Sequence, residues 1–178
     1  MSTIISRAAV AAALITPLLA ASAFAGEGHG DGSAAGKPGK ASDATTTIEV
    51  MMYDNYYAPE NISVKEGETV RFIIRNAGGL VHEFNIGTAD QHEAHAPMMQ
   101  MMVDHGVLEA DKINHDVGKA MQASMGHGMH HEPNSALLEP GKTAEIVWTF
   151  PAHAEIEFAC NVPGHYDGGM VGEIELTH

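Results

Sequence analysis

The stretch Cys160-Asn-Val-Pro-Gly-His165-Tyr-Asp-Gly-Gly-Met170 decides how the rest of this chain is interpreted, because it places a cysteine, a histidine and a methionine on one short loop. Cys160 is the only cysteine in the 178 residues. A thiolate, two imidazoles and a weak axial thioether are the ligands of a blue-copper site. The loop lacks only a second histidine, and His82, within Gly79-Leu-Val-His-Glu-Phe84, can supply it.

Apolar and polar residues alternate on both sides of these candidate ligands, which predicts half-buried β-strands. The alternation covers residues 48–52, 70–74, 82–86, 146–150, 156–160 and 174–176. His82 and Cys160 are in phase with the apolar positions, so we expect both on the inward faces of two strands. Several short antiparallel strands separated by Gly and Pro turns favour a β-sandwich.

The order His82, Cys160, His165, Met170, with the spacing C-x4-H-x4-M, resembles the cupredoxins, the family of plastocyanin, azurin and rusticyanin. The segment 61–76, Asn-Ile-Ser-Val-Lys-Glu-Gly-Glu-Thr-Val-Arg-Phe-Ile-Ile-Arg-Asn, is similar to the family's paired strands before the first histidine. The resemblance covers about residues 45–89 and 136–178. It implies a mainly β fold, a Greek-key β-sandwich of the cupredoxin type.

The resemblance also implies one type 1 copper ion that alternates between Cu(I) and Cu(II). Its ligands would be a thiolate, two equatorial imidazoles and an axial thioether, from Cys160, His82, His165 and Met170 respectively. Core packing remains the alternative for Met170. By family analogy an edge of His165 faces the surface and passes electrons to partners. Glu83 departs from the family pattern, in which Asn or Ser follows the first histidine and ties the ligand loops together.

Zinc sites and multicopper enzymes fit these ligands less well. Structural zinc sites usually use paired cysteines, and methionine is a poor zinc ligand. Copper also binds more tightly than zinc to a given set of ligands. Multicopper oxidases and copper nitrite reductases need further copper centres with His-x-His or Cys-His pairs, and no histidine adjoins Cys160. We therefore expect a one-electron redox protein rather than an enzyme, although weak oxidation of Cu(I) is compatible with such a site.

The N-terminal residues 1–25 have the features of an export signal: Arg7, an apolar run over residues 8–19, and Ala23-Phe-Ala25 before the expected cleavage. The run is shorter than the roughly 20 residues that span a bilayer. We therefore expect a periplasmic protein with no membrane contact after cleavage. Residues 26–44, rich in Gly, Ala, Ser and Lys, predict a flexible leader outside the core, followed by a cupredoxin domain over 45–178.

A net charge of −14, with the histidines neutral, narrows the classes of partner. Such a chain repels nucleic acid and anionic membrane surfaces. It attracts cations and basic surfaces instead. Copper ions and a basic redox partner protein are therefore the partners that we expect.

An insertion at about residues 90–135 carries seven methionines and seven histidines. Helices are predicted over 97–105 and 107–125, and we expect their methionines to pack against the sandwich rather than bind metal. The glycine-containing tract 125–131 has little core to join. Thioethers suit Cu(I) and imidazoles suit either copper state. Additional copper contacts are therefore expected in this tract, with a solvated loop as the alternative, at Met125, His127, Met129, His130 and His131.

Two functions share the predicted site. A copper-tolerance protein would bind or oxidise Cu(I) there, with help from the insertion. A soluble electron carrier would use the same site between redox partners, and the insertion would be structural. The insertion and the acidic charge favour copper tolerance, and the Met/His-rich insertion resembles that of exported cupredoxins of bacterial copper tolerance.

Overall fold

A computed structural model describes residues 34–126 and 132–178. Within these ranges the chain forms ten β-strands and two α-helices. The strands are β1 (Lys37–Pro38), β2 (Thr46–Tyr53), β3 (Tyr56–Ala58), β4 (Ile62–Lys65), β5 (Thr69–Asn76), β6 (His82–Gly87), β7 (Ser135–Leu138), β8 (Thr143–Thr149), β9 (Ile156–Ala159) and β10 (Val171–Thr177). The helices are α1 (Ala89–Asp104) and α2 (His115–Met125). Neither helix is long and apolar enough to cross a membrane.

The strands form two five-stranded sheets, in the orders β1-β8-β5-β2-β3 and β4-β10-β9-β6-β7. Two strand pairs, β2 with β5 and β4 with β10, are parallel. The expectation that all strands pair antiparallel is therefore wrong for these two pairs. The chain leaves the first sheet after β3, contributes β4 to the second, and returns as β5 beside β2. This crossing between sheets gives the predicted β-sandwich.

The core between the sheets is built from the predicted inward-facing residues. Phe84 on β6 lies between Phe72 on β5 and Phe158 on β9, with ring centroids 5.5 Å and 5.3 Å away. All three side chains are fully buried. Tilted aromatic pairs of this kind contribute about 0.5–1.5 kcal/mol each beyond their buried area. The strands that carry His82 and precede Cys160 are thus fixed by a rigid core.

The second half of the predicted leader is part of the sandwich. Lys37 and Pro38 pair with β8, and Ala35 is buried and accepts a 2.8 Å hydrogen bond from Trp148 Nε1. The prediction of a flexible leader is therefore wrong for residues 34–44, while residues 1–33 lie outside the described part. A two-residue strand is too short to show an alternating pattern, and small residues carry little hydrophobic signal.

The first insertion helix begins eight residues before its predicted start. Thr88 accepts a hydrogen bond from the Gln91 N–H, and the Gln91 side chain accepts one from the Thr88 N–H. This capping box satisfies backbone donors at the start of α1 and overrides Pro97 as a start signal. Pro97 instead lies exposed within the helix.

The second insertion helix is shorter than the predicted 107–125. Leu108 and Ile113 form an isolated β-bridge, and the Asn114 side chain caps α2 by accepting from the Val117 N–H. Both helices pack through a small second core. Its buried members, three of them methionines as expected for packing, are Val81, Met99, Met102, Val107, Leu108, Ile113 and Met121.

Helix α1 also covers the outer face of β6. All six residues of β6 are buried, whereas the alternating pattern predicted burial of one face only. Glu83 and Asn85, which point away from the sandwich core, are enclosed beneath the insertion. The insertion is therefore in direct contact with the strand that carries His82.

Candidate metal centre

Three of the predicted ligands meet at one end of the sandwich. His82 is the first residue of β6, and Cys160 directly follows β9, its antiparallel neighbour. The Cys160 sulfur lies 3.3 Å from His165 Nδ1 and 4.0 Å from His82 Nδ1. All three donor atoms lie within 4.8 Å of one another. A thiol and two imidazole nitrogens thus converge on one point.

The fourth predicted ligand, Met170, is held beside this group by backbone hydrogen bonds. The Met170 N–H donates to the His165 carbonyl at 2.9 Å, and the Cys160 N–H donates to the Met170 carbonyl at 3.1 Å. Gly164 and Gly169 have φ angles of 86° and 93°, a region that disfavours residues with a Cβ. The loop therefore closes on itself, and the Met170 side chain is fully buried.

The predicted ligands differ in burial, and His165 is the one that reaches the surface. His82 and Cys160 are fully buried, whereas His165 is partly exposed. Burial, followed by the charge of nearby His82, lowers the pKa of His165. His165 also borders a surface hollow of about 300 Å³, whose other walls are mostly apolar. At neutral pH His165 is thus a neutral imidazole at the open side of the centre.

The Cys160 thiol holds its proton tightly in the metal-free chain. Burial raises the pKa of Cys160 to about 12, although a 3.3 Å hydrogen bond from the Glu83 N–H to the sulfur opposes this. Metal coordination deprotonates a thiol outright. Metal binding here therefore releases a proton and becomes tighter as pH rises.

Asp54, which the sequence did not single out, orients His82. Its Oδ1 lies 2.9 Å from His82 Nε2, and the Gly79 and Leu80 N–H groups donate to the same carboxylate. The hydrogen bond to His82 lowers the pKa of Asp54. A carboxylate on one ring nitrogen fixes the tautomer that leaves the other free for metal, here Nδ1, the atom facing Cys160.

Two residues that are not predicted ligands, Asn76 and Gly78, shape the loop that precedes His82. Asn76 is fully buried; its amide nitrogen donates to the Leu80 and Leu138 carbonyls, and its oxygen accepts from the Gly78 N–H. Gly78 lies so near Asp54 and His82 that a Cβ there would stand 2.9 Å from His82 Nε2. A side chain at 78 would therefore disturb the contact between Asp54 and His82.

Glu83, the departure from the family pattern, joins the two ligand segments through its carboxylate. Oε2 accepts hydrogen bonds from the Asn161 side chain at 2.8 Å and the Asn161 N–H at 3.3 Å, and Oε1 accepts one from Ser135 at 2.6 Å. Burial opposes ionisation of Glu83, but His95, Ser135 and Asn161 outweigh it and lower its pKa to about 2. Residue 83 therefore ties β6 to the segment after Cys160 as a buried anion.

Two histidines of α1 complete this buried network. His95 Nε2 lies 3.4 Å from Glu83 Oε1, and the carboxylate raises the pKa of His95 against the lowering effect of burial. His92 Nδ1 lies 3.2 Å from the Asn161 amide nitrogen, and burial lowers the pKa of His92. In the sequence these two residues stand out only as members of an insertion that contains seven histidines. Their i, i+3 spacing on one helix face was the available signal.

The expected copper contacts of the insertion are mostly outside the described residues. Met125, the last residue of α2, is 47% exposed and thus accessible to an ion. His127, Met129, His130 and His131 lie in the part that the structure does not describe. Their role stays a prediction.

The donor set at the main centre fits copper. The centre combines the soft and borderline ligand types that copper favours. They are a buried thiol that forms no disulfide, two convergent imidazole nitrogens, and the buried side chain of Met170, whose backbone is hydrogen-bonded to Cys160 and His165. Zinc fits less well, because its usual sites with sulfur ligands contain two or more cysteines.

Known proteins are similar to this chain in sequence and in fold. A model of the cupredoxin-like domain family matches residues 11–103, a range that includes His82. The chain is 46% identical over 169 residues to the copper-resistant cuproprotein CopI of Pseudomonas aeruginosa, covering 89% of this chain and 90% of that protein. It is 35% identical over 173 residues to CopI of Rubrivivax gelatinosus, covering 90% of this chain and 91% of that one.

Among solved structures, auracyanin B has a similar fold, with a TM-score of 0.57 and 21% identity over 81% of this chain and 97% of that one. This likeness confirms the mainly β, cupredoxin-type sandwich with a helical insertion. The matches to CopI extend over nearly the full length of those proteins. The chain therefore belongs to the cupredoxin family, as a relative of the copper-resistant cuproproteins CopI.

Proposed function

We propose that this protein confers copper tolerance in the periplasm by binding copper at a redox-active type 1 site formed by His82, Cys160, His165 and Met170. The observation that carries the proposal is the convergence of the Cys160 thiol with two imidazole nitrogens inside a rigid sandwich. Relatives that share up to 46% identity are copper-resistant cuproproteins. Residues 1–25 have the pattern of a cleaved export signal, which supports a periplasmic location.

Each ligand has a distinct task in this proposal. Cys160 gives up its proton and supplies the thiolate, and the Glu83 N–H stabilises charge on that sulfur. Asp54 holds His82 in the tautomer that presents Nδ1. Bound copper would supply one-electron chemistry between Cu(I) and Cu(II). Because the packed strands fix His82 and Cys160, these side chains would move little when copper changes between Cu(I) and Cu(II).

The tract 125–131 would assist by taking up further copper. Met125 is exposed at the end of α2, and residues 127–131, His-Gly-Met-His-His, add three histidines and one methionine. Thioethers retain Cu(I), whereas imidazoles hold either state. A tract of this kind raises the amount of copper bound per chain without changing the buried site.

Electron transfer between redox partners is the second candidate function. It is favoured by the position of His165, which is partly exposed beside a mostly apolar hollow that includes Leu80, Leu108 and Pro163. Apolar surface around an exposed ligand edge allows close approach of a partner protein. The net charge of −14 would steer a basic partner.

Copper-tolerance assays separate these two functions. Cells lacking the gene should recover growth on copper when they express the parent protein and not when they express Cys160→Ser at equal abundance. His105→Ala, an exposed histidine of the insertion outside the centre, is the matched control and should restore growth. Full tolerance with Cys160→Ser would reject the role of this site in tolerance. Rapid electron exchange by the parent with a basic redox protein would then favour the carrier.

A further inference from the structure

A second group of ligand-type side chains lies at the opposite end of the sandwich. Glu66 is in the turn between β4 and β5, His153 is in the loop between β8 and β9, and His178 directly follows β10. Met170 and His178 flank the seven-residue strand β10. At about 3.3 Å per residue the strand separates the two ends by about 23 Å. This group is therefore distinct from the centre at Cys160.

The three side chains point at one another. His153 Nδ1 lies 3.0 Å from Glu66 Oε1, and His178 Nδ1 lies 3.2 Å from Glu66 Oε2. One donor atom from each residue lies within 4.8 Å of the others. Two donors that bind one ion at about 2.0–2.2 Å each can be at most about 4.4 Å apart. The three donor atoms therefore need only a small inward movement to bind one ion. Both imidazoles are mostly exposed and free to make it.

The backbone keeps the carboxylate in place between the two histidines. The His153 N–H donates to Glu66 Oε1 at 3.0 Å, and the Glu66 N–H donates to the Thr177 carbonyl at 2.9 Å, next to His178. The hydrogen bond from His153 lowers the pKa of Glu66, which is therefore ionised at neutral pH. His153 has a φ of 53°, a conformation that residues with a Cβ adopt rarely. His153 thus contacts Glu66 while its own backbone is in an unfavourable conformation.

Stability does not explain this arrangement. Exposed ion pairs contribute little to folding stability, because solvent and salt screen them. The two histidines bury little surface, being 77% and 81% exposed. Binding of a cation is a more specific use of two imidazoles and a carboxylate.

The surroundings attract cations. The group borders a surface groove of about 1150 Å³, and no lysine or arginine is among its lining residues in the described part of the chain. Clustered carboxylates create a negative potential that raises the local concentration of cations. The acidic residues of the groove are Glu66, Asp90, Glu155, Glu157, Glu173 and Glu175.

We propose that Glu66, His153 and His178 form a second metal site, which binds Cu(II). Two imidazole nitrogens and a carboxylate oxygen suit divalent borderline ions, and Cu(II) has the highest affinity in the divalent series for such ligands. The exposed position leaves the remaining coordination sites to water. Without a thiolate, the site has no strong visible absorption, in contrast to the centre at Cys160. It would hold Cu(II) at the protein surface beside the acidic groove.

A copper titration in the Cys160→Ser background tests this site separately from the type 1 centre. The test variant is His153→Ala/His178→Ala, and the control is His105→Ala/His115→Ala, which removes two exposed histidines of the insertion. Equilibrium dialysis and electron paramagnetic resonance are the readouts. The control should bind as many Cu(II) ions as the Cys160→Ser chain and show a nitrogen-coordinated signal without thiolate character. The test variant should bind one fewer Cu(II) ion, and its nitrogen-coordinated signal should be smaller by that one ion, because His82, His165 and the histidines of tract 125–131 remain.

A conservative variant and a second ion sharpen the result. Removing groups that merely orient metal ligands costs about 10–100-fold in affinity, so loss of a direct ligand in Glu66→Gln should weaken Cu(II) binding at least about tenfold. Zn(II) should compete with Cu(II) for the site and bind more weakly. The proposal would be overturned if the Cys160→Ser chain, the test variant and Glu66→Gln in the same background bound equal numbers of Cu(II) ions with equal affinity. The three residues would then be an ion-pair cluster only. Tighter binding of Zn(II) than Cu(II) would overturn the assignment to copper.

Discussion

Glu83→Gln tests whether the buried carboxylate beneath α1 stabilises the fold as an anion. The pKa of Glu83 is lowered from 4.5 to about 2, and each pKa unit corresponds to about 1.36 kcal/mol. The ionised carboxylate therefore contributes on the order of 3 kcal/mol of folding stability. Glutamine has nearly the same shape and can still accept from Asn161, so the variant removes mainly the charge next to His95. We expect a loss of about 3 kcal/mol at pH 7.

The pH dependence gives this prediction its direction. Because the pKa of Glu83 is lower in the folded than in the unfolded chain, its contribution is complete above about pH 4.5 and is lost as the pH falls towards about 2. The difference between the parent and Glu83→Gln should therefore shrink steadily between those values. The partner His95, whose pKa is raised by Glu83, contributes below its folded pKa and loses that contribution as the pH rises through it.

Urea unfolding of the metal-free protein at pH 7 and pH 3 is the assay. Glu49→Gln, an exposed carboxylate on β2, is the control and should change the unfolding free energy little at either pH. A difference between the parent and Glu83→Gln that is under about 1 kcal/mol at pH 7, or that is equal at the two pH values, would refute the reasoning.

Three further predictions concern the centre and the insertion. Asp54→Ala should weaken copper binding about 10–100-fold, since the carboxylate orients His82, whereas Glu49→Ala should not; a competition titration with a chelator measures this. Met170→Leu should keep the visible colour and raise the reduction potential, because loss of a weak axial donor destabilises Cu(II) more than Cu(I); a lowered potential in voltammetry would contradict it. Joint replacement of Met125, His127, Met129, His130 and His131 should leave the colour and reduce the Cu(I) ions bound per chain in equilibrium dialysis. Unchanged Cu(I) stoichiometry would reject that tract.

Local patterns were sufficient to predict the main strands and the placing of Cys160, His165 and Met170 on one loop. Alternation identifies Phe72 and Phe84 as core residues, because strand side chains point to opposite faces in turn. The spacing of Cys160, His165 and Met170 is local as well, since one loop carries all three. These features could be predicted because they depend on residues close together in the sequence.

The residues that support the centre could not be predicted in this way. Asp54 contacts His82 across 28 positions of sequence, and His95 contacts Glu83 only because α1 folds back over β6. Such contacts depend on how elements pack in three dimensions. The start of α1 differs from these contacts, because its signal is local: Thr88 followed three residues later by Gln91 is a capping-box pattern. Residues 34–44 were missed because a strand of two residues shows no periodicity.

The visible spectrum of the copper-loaded protein tests the central claim most directly. With one equivalent of Cu(II), the parent should show an intense absorption from charge transfer between the Cys160 thiolate and copper. Cys160→Ser should lose this absorption entirely, whereas the control His105→Ala should keep it. A colourless parent, or an equally coloured Cys160→Ser protein, would contradict the assignment of Cys160 as a copper ligand.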